Sequence, residues 1–327
     1  MKKLFAYSFI LAGLAFGSGC RQPKLFLRNE FRIRDPFVLP DGSTYYLYEA
    51  KAWAGGIGVN VRRSKDLEHW TESEPVLKLP PDIKNTAVWA PEVHKYAGAY
   101  WIFATLTFDP VKPGDEAAPC YLKQIGPMLA EGFSGDVPHL RPRGVWVFRS
   151  DRPDGPFTPV KTGPVTPEEW MCLDGTLWVE DGVPWMIFCH EWCQTGNGRM
   201  MAAPMSPDLK SFTAKPIELF RAACLPGAGH VTDGPFLVQS EAAGLRMIWS
   251  NFLEDSGYCV LQCKSQSGKI AGPWTEQKPL YSRDGGHGML FKRFDGQLML
   301  SIHQPNSRNE RMQLFPLRLT DDGLVCD

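Results

Sequence analysis

Six carboxylates and two histidines recur at corresponding points along this chain, and their types suit proton transfer. Asp35, Glu92, Asp174, Asp233 and His287 each stand at the opening of one segment of a repeated pattern. Glu49, Thr105, Glu191, Asn251 and His303 close the same five segments. A carboxyl kept ionised acts as a base and one kept protonated acts as an acid. Crowding such groups away from water drives their pKa values apart. Taken singly, each Asp-Gly or Asp-Pro reads as a plain turn residue. Buried carboxylates are costly unless paired, so collecting six of them exceeds what packing requires. Repetition turns the turn residues into candidates for chemistry.

The elements that must position them follow from the same repeat. Segments 34–50, 90–106, 173–192, 232–251 and 286–304 share one plan: a polar residue with Gly or Pro, an apolar run, a turn, then an aromatic-rich run. The turns PDGS, YAGA, EDGV, EAAG and FDGQ carry the Gly or Asp of a tight reversal, so each segment reads as a β-hairpin. Further strand signals at 62–70, 147–157, 203–212 and 262–274 pair Ser with a short turn and a closing Trp or Phe. Two hairpins per repeat of about 55 residues make a four-stranded sheet, and five such sheets around an axis make a β-propeller. The expected class is therefore all-β, a five-bladed β-propeller over residues 24–327. The innermost strand of a blade and its partner meet the same face. The opening and closing residues are thus expected on one rim, around one central funnel.

Composition bounds the partners. Among 327 residues, 35 Lys+Arg balance 36 Asp+Glu, which gives no electrostatic footprint for nucleic acid and no polybasic membrane patch. The 31 Gly and 28 Pro are spread without a collagen period, as expected for many turns. Met1-Lys2-Lys3 followed by an apolar run from Leu4 to Phe16 reads as a secretory signal over residues 1–20. Gly17-Ser18-Gly19-Cys20 resembles a bacterial lipobox, with Cys20 as the acylated residue. Gly17 stands where Leu is usual, and ordinary secretion with cleavage nearby is the alternative. Export to the periplasm or cell surface is the expectation, with membrane contact only through that lipid. Eight further cysteines leave disulfide pairing open, and the Cys189–Cys193 spacing is poor for tetrahedral zinc.

Five ordered motifs carry a resemblance: Arg34-Asp35-Pro36, Trp89-Ala90-Pro91-Glu92, Leu173-Asp174-Gly175-Thr176, Asp233-Gly234-Pro235 and Gly286-His287-Gly288. Together they resemble glycoside hydrolase family 43, five-bladed propellers acting on arabinose- and xylose-containing glycans. The resemblance implies an inverting glycosidase that requires no cofactor. Asp35 would be the general base, and Asp174 would orient the acid and tune its pKa. Asp233 stands at the acid's place, where the family normally has Glu; Glu191, on the same rim as Asp174, is the rival donor. His287 matches the family's axial histidine, which often helps hold a cation, so a calcium near the axis is one expectation and a core histidine the other. Arg311 falls where an Arg often touches the sugar. Trp53 and Trp192 are expected to stack on a sugar face, with Glu92 and Asn251 in the site wall. The implied activity is an exo-α-L-arabinofuranosidase, or a β-xylosidase, on plant-type oligo- or polysaccharide. The alternative is a glycan-binding propeller with impaired catalysis, motivated by the shorter Asp233.

Overall fold

Short apolar runs, broken every few residues by Gly and Asp, give antiparallel meanders. In the hairpin turns Ala97-Gly98 and Asp181-Gly182 both central residues have positive φ, the backbone twist that matches two flanking strands. The computed structural model describes residues 24–53, 56–79, 83, 85–109 and 141–326. The expected signal segment and Cys20 lie outside the described residues, as does most of the long insertion between Phe108 and Arg143, in the second repeat.

The strands form five sheets. Blade 1 holds β1 (Leu25–Leu27), β2 (Phe37–Asp41), β3 (Thr44–Trp53), β4 (Gly56–Ser64), β5 (His69–Thr71) and β6 (Glu74–Lys78). Blade 2 holds β7 (Asn85–Tyr96), β8 (Ala99–Phe108), β9 (Arg143–Ser150) and β10 (Thr158–Pro159). Blade 3 is β11 (Cys172–Glu180), β12 (Val183–His190), β13 (Arg199–Pro204) and β14 (Ile217–Arg221), with the one-turn α1 (Trp192–Thr195) after β12. Blade 4 is β15 (Asp233–Ser240), β16 (Gly244–Leu253), β17 (Gly257–Ser265) and β18 (Trp274–Tyr281). Blade 5 is β19 (Gly286–Lys292), β20 (Leu298–Gln304), β21 (Arg311–Thr320) and β22 (Gly323–Cys326). The molecule is a five-bladed β-propeller, as the repeats predict.

The core lies between blades. One apolar layer joins blades 2 and 3 through Phe103, Val145, Phe188 and Ala203; another joins blades 3 and 4 through Ile187, Met200, Met247 and Trp249. Among the described residues no strand is shared between the first and last blades. The ring closes instead through side chains. Met289, Phe291, Met299 and Met312 of blade 5 pack into the blade 1 cluster around Leu47 and Tyr48. Ser301 Oγ donates to the Pro36 carbonyl at 3.1 Å, and Arg311 Nε to the Asn29 carbonyl at 3.1 Å.

Candidate active site

Four of the five inner strands begin with the same irregularity. The register slips between Trp89 and Glu92, Leu173 and Thr176, Asp233 and Phe236, and Gly286 and Met289. Within each slip one residue is left-handed: Ala90 (φ 41°), Asp174 (54°), Gly234 (48°) and His287 (51°), with Asp35 (50°) just before β2. These five are the structurally equivalent positions. The expected register held for Asp35, Asp174 and His287. It was one residue off at Asp233 and two off at Glu92. A bulge puts two residues opposite one, and a sequence count cannot see it.

Residues from all five blades line one cavity of about 390 Å³ at the end of the axis. Asp35, Asp174, Asp233, Glu191, His287 and Trp192 are on its walls, as the rim geometry predicts. The sequence reading missed several others. Trp89, in the sequence only part of a motif, and Phe252 present exposed rings, 39% and 40% accessible, and Arg143, Cys193 and Tyr258 are also on the wall. Tyr258 comes from a different hairpin than Asp233. Arg143 follows directly on the insertion, so no repeat marks either. Arg34 was seen only as part of a motif, yet it also lines the cavity.

Other expected site residues lie elsewhere. Asn251 is fully buried, its amide nitrogen donating to the Ala222 and Gly229 carbonyls at 3.1 and 3.2 Å. It secures a loop and is not on the cavity wall. Arg311 spends its donors on the Asn29, Asn309 and Glu310 carbonyls, closing the ring instead of reaching the cavity. Glu92 sits below the cavity against His94 (3.0 Å), beside a void of about 10 Å³ with room for one water and not a sugar. Glu49 turns into blade 1, accepting from Arg62 Nε at 3.2 Å and from the Ser73 hydroxyl. Thr105 supports the site from beneath, its Oγ1 accepting the Asp174 N–H at 2.9 Å. Trp53 ends β3, and its side chain lies outside what the structure describes.

The electrostatics separate the carboxylates. Burial alone would raise the Asp35 carboxyl. The His287 ring, the His303 ring and the Arg34 guanidinium outweigh it and hold Asp35 well below the usual carboxylate range. His303 Nδ1 lies 3.1 Å from Asp35 Oδ1 and 3.3 Å from its backbone nitrogen. With Nδ1 bare the ring accepts the backbone N–H there; with a hydrogen on Nδ1 it donates toward the carboxylate. Asp174 is pushed the other way, by burial and then by the charges of Asp233 and Asp35. Its Oδ2 accepts the Gly234 N–H at 3.0 Å, so it grips the backbone one residue from Asp233. Burial also raises Asp233, against the His287 ring and a 2.9 Å hydrogen bond donated by the Tyr258 hydroxyl.

Glu191 precedes α1 without capping it, and its carboxylate turns to Arg143 Nη1, 3.1 Å from Oε1 and 2.9 Å from Oε2. Arg143 in turn lies over the Trp89 ring, 4.7 Å from its centroid. Burial lifts the Glu191 carboxyl to about 7, against Arg143 and with Asp233. His287 Nδ1 stands 3.6 Å from Asp35 Oδ1 and 3.8 Å from Asp174 Oδ2, so one ring nitrogen ties the ionised carboxylate to the raised one. Among the described residues no three His, Cys, Asp or Glu side chains converge as metal ligands. Cys189 is packed in the core and Cys193 stands in the cavity wall, so the two do not form a zinc pair, and Cys172, Cys189, Cys193, Cys224, Cys259 and Cys263 form no disulfide among the described residues.

One ionised and three raised carboxylates around a sugar-sized hollow can supply a base and an acid to one bond. The model of Glycosyl hydrolases family 43 matches residues 29–324. The chain belongs to this family. It is a glycosidase, hydrolysing glycosidic bonds. Among solved structures, an endo-arabinase from Bacteroides thetaiotaomicron is 34% identical with a TM-score of 0.75, covering 90% of this chain and 97% of that one. An endo-1,4-beta-xylanase from the same organism is 22% identical with a TM-score of 0.70, covering 94% and 97%. An alpha-L-arabinofuranosidase from Lactobacillus brevis is 18% identical with a TM-score of 0.67, covering 90% and 93%. The last two show the shared fold alone. A comparison with curated protein sequences gives no match.

Proposed function

We propose that the chain hydrolyses α-L-arabinofuranosyl linkages of plant-type polysaccharide with inversion, acting as an exo-α-L-arabinofuranosidase. The observation that carries this is the split within one cavity: Asp35 held ionised, Asp174 and Asp233 pressed toward protonation. Inversion needs a base that activates water on one face of the sugar and an acid that protonates the leaving oxygen on the other. Asp35 is the base. Asp233 is the acid, placed by the Asp174 grip on Gly234 and steadied by Tyr258. Glu191 is the lesser candidate, because its carboxylate is engaged by Arg143 and a proton donor must keep its proton. Trp89, Phe252 and Trp192 offer apolar faces to the sugar. The 34% identical endo-arabinase supports arabinose as the sugar; the β-D-xyloside reading rests on the more distant xylanase.

Purified protein assayed on aryl α-L-arabinofuranoside, aryl β-D-xyloside and linear arabinan tests the substrate, with NMR of the first-formed anomer testing inversion. Release of single arabinose units supports the reading; turnover of xyloside alone overturns the sugar, and oligosaccharide release alone overturns the exo mode. For the acid, Asp233→Asn should abolish turnover of substrates with poor leaving groups while an aryl group with an acidic phenol rescues it. Rescue of Glu191→Gln and not of Asp233→Asn would reverse the assignment. We also propose export with lipid attachment at Cys20, supported by the leader pattern of the first 20 residues; loss of palmitate labelling in Cys20→Ser checks it.

A further inference from the structure

The contacts that close the ring run on to Asp35. Glu310, at the end of the loop between β20 and β21, is fully buried. Its Oε1 lies 2.6 Å from Arg32 Nη2 and 4.0 Å from Arg34 Nη1, while its carbonyl accepts the Ile33 N–H at 3.3 Å. Its Oε2 is buried without a hydrogen-bond partner. Arg34 has its Nε 3.8 Å from Asp35 Oδ1 and faces the cavity. One guanidinium therefore stands between two carboxylates, in full contact with neither.

Closing the ring does not need this. The neighbouring seam is apolar, built on Met289 and Met299, and a buried carboxylate is expensive unless paired. Arg32 and the Ile33 backbone already fasten Glu310 to the N-terminal segment. The second reach, to Arg34, serves the cavity. A guanidinium moved from 3.8 Å into direct contact with Asp35 would occupy the lone pairs that a base must offer to water.

We propose that Glu310 is a positioning residue that holds Arg34 back from Asp35 and so keeps the base open to water. This rests on the reading of Asp35 as the general base. The consequence is a coupling between the seam that closes the propeller and the carboxylate at its axis. In Glu310→Gln, Arg34 is released onto Asp35.

The test is a double-mutant cycle on Glu310→Gln and Arg34→Gln, with kcat and KM measured separately on an aryl glycoside that the protein turns over. Glu310→Gln is expected to lower kcat roughly tenfold with little change in KM. Adding it to Arg34→Gln is expected to cause no further loss, because the blocking group is gone. Losses that multiply, or a lower melting temperature with kcat intact, would overturn the proposal. If Glu310→Gln does not fold, Arg32→Gln serves, since that side chain is 58% exposed. Losing Arg32 redirects Glu310 to Arg34, and the resulting change in kcat should vanish in the Arg34→Gln background; an unchanged kcat overturns the coupling. Asp35→Asn in the same assay separates the two readings. Activity retained there removes the base assignment, whereas the cycle reports on Glu310 and Arg34 alone.

Discussion

Replacing Glu191 by Gln isolates a single titration in the cavity wall. The Glu191 carboxyl rises from 4.5 to about 7 on folding, through burial that outweighs Arg143. A raised carboxyl means that the native state binds more protons than the unfolded one between those two values. Stability linked to this group is therefore fully present below pH 4.5 and is lost as pH rises to about 7. At 1.36 kcal/mol for each tenfold, the loss amounts to about 3 kcal/mol. Gln does not titrate, and it faces Arg143 with the same neutral amide at every pH. Whatever offset the substitution introduces is thus constant, and the pH-dependent part of the difference belongs to Glu191. Urea unfolding of both proteins, from about pH 4 to about pH 8, should show the variant gaining about 3 kcal/mol on the parent. A flat difference would mean that the carboxyl is not raised. A trend of opposite sign would mean that Arg143 dominates and Glu191 is an ordinary ion-pair partner.

Three further outcomes are expected. Asp35→Asn should lower kcat by about 10²–10⁴ with the far-UV circular dichroism unchanged, since an isosteric amide removes the base and little else; turnover near the parent's level would reject the role. Tyr258→Phe removes a hydrogen bond that restrains Asp233, so the Asp233 carboxyl rises further and the alkaline limb of kcat/KM moves to higher pH. That variant should also lose about 1 kcal/mol of stability, and an unmoved limb would detach Asp233 from proton donation. Gly234→Ala places a Cβ 3.0 Å from the His287 ring at a φ of 48°, so melting temperature and kcat should both fall, the strain alone being worth about 1–2 kcal/mol. An unchanged kcat would show that the His287 ring has room to give.

The blades were legible because each signal is local. Alternating apolar runs and two-residue turns such as Asp181-Gly182 decide a hairpin without reference to the rest of the chain. The family motifs were legible for the same reason, each lying in three or four consecutive residues. What failed depended on which way a side chain points after an irregular step. Asn251 and Glu191 both close a hairpin at the cavity end, yet Asn251 turns onto backbone carbonyls while Glu191 reaches the wall. The resemblance set Arg311 at the sugar, but a hydrogen bond to Asn29 takes it across the seam. Tyr258 and Arg143 reach the cavity from strands outside the five inner hairpins, where no repeat marks them.

The left-handed residues explain why the carboxylates can meet at all. A regular inner strand would alternate its side chains across the sheet and hold the opening residue against the neighbouring blade. A residue at positive φ breaks that alternation and turns the backbone at the mouth. A non-glycine residue in this conformation costs about 1–2 kcal/mol, and it persists only where the surroundings over-determine it. Asp35, Asp174 and His287 carry that strain at three of the five equivalent points, and they are three of the groups whose charges oppose one another in the cavity. Blade 2 has Ala90 at the same point, where the side chain can do no chemistry. In blade 4 the point is Gly234, and the carboxylate moves one residue back to Asp233. That displacement lets Asp174 accept the Gly234 N–H directly and fix Asp233 through the backbone. A shorter acid placed by its own main chain needs less reach than a longer one placed by side-chain packing, which is how Asp233 would fill the proposed acid's place, where the resemblance implies Glu.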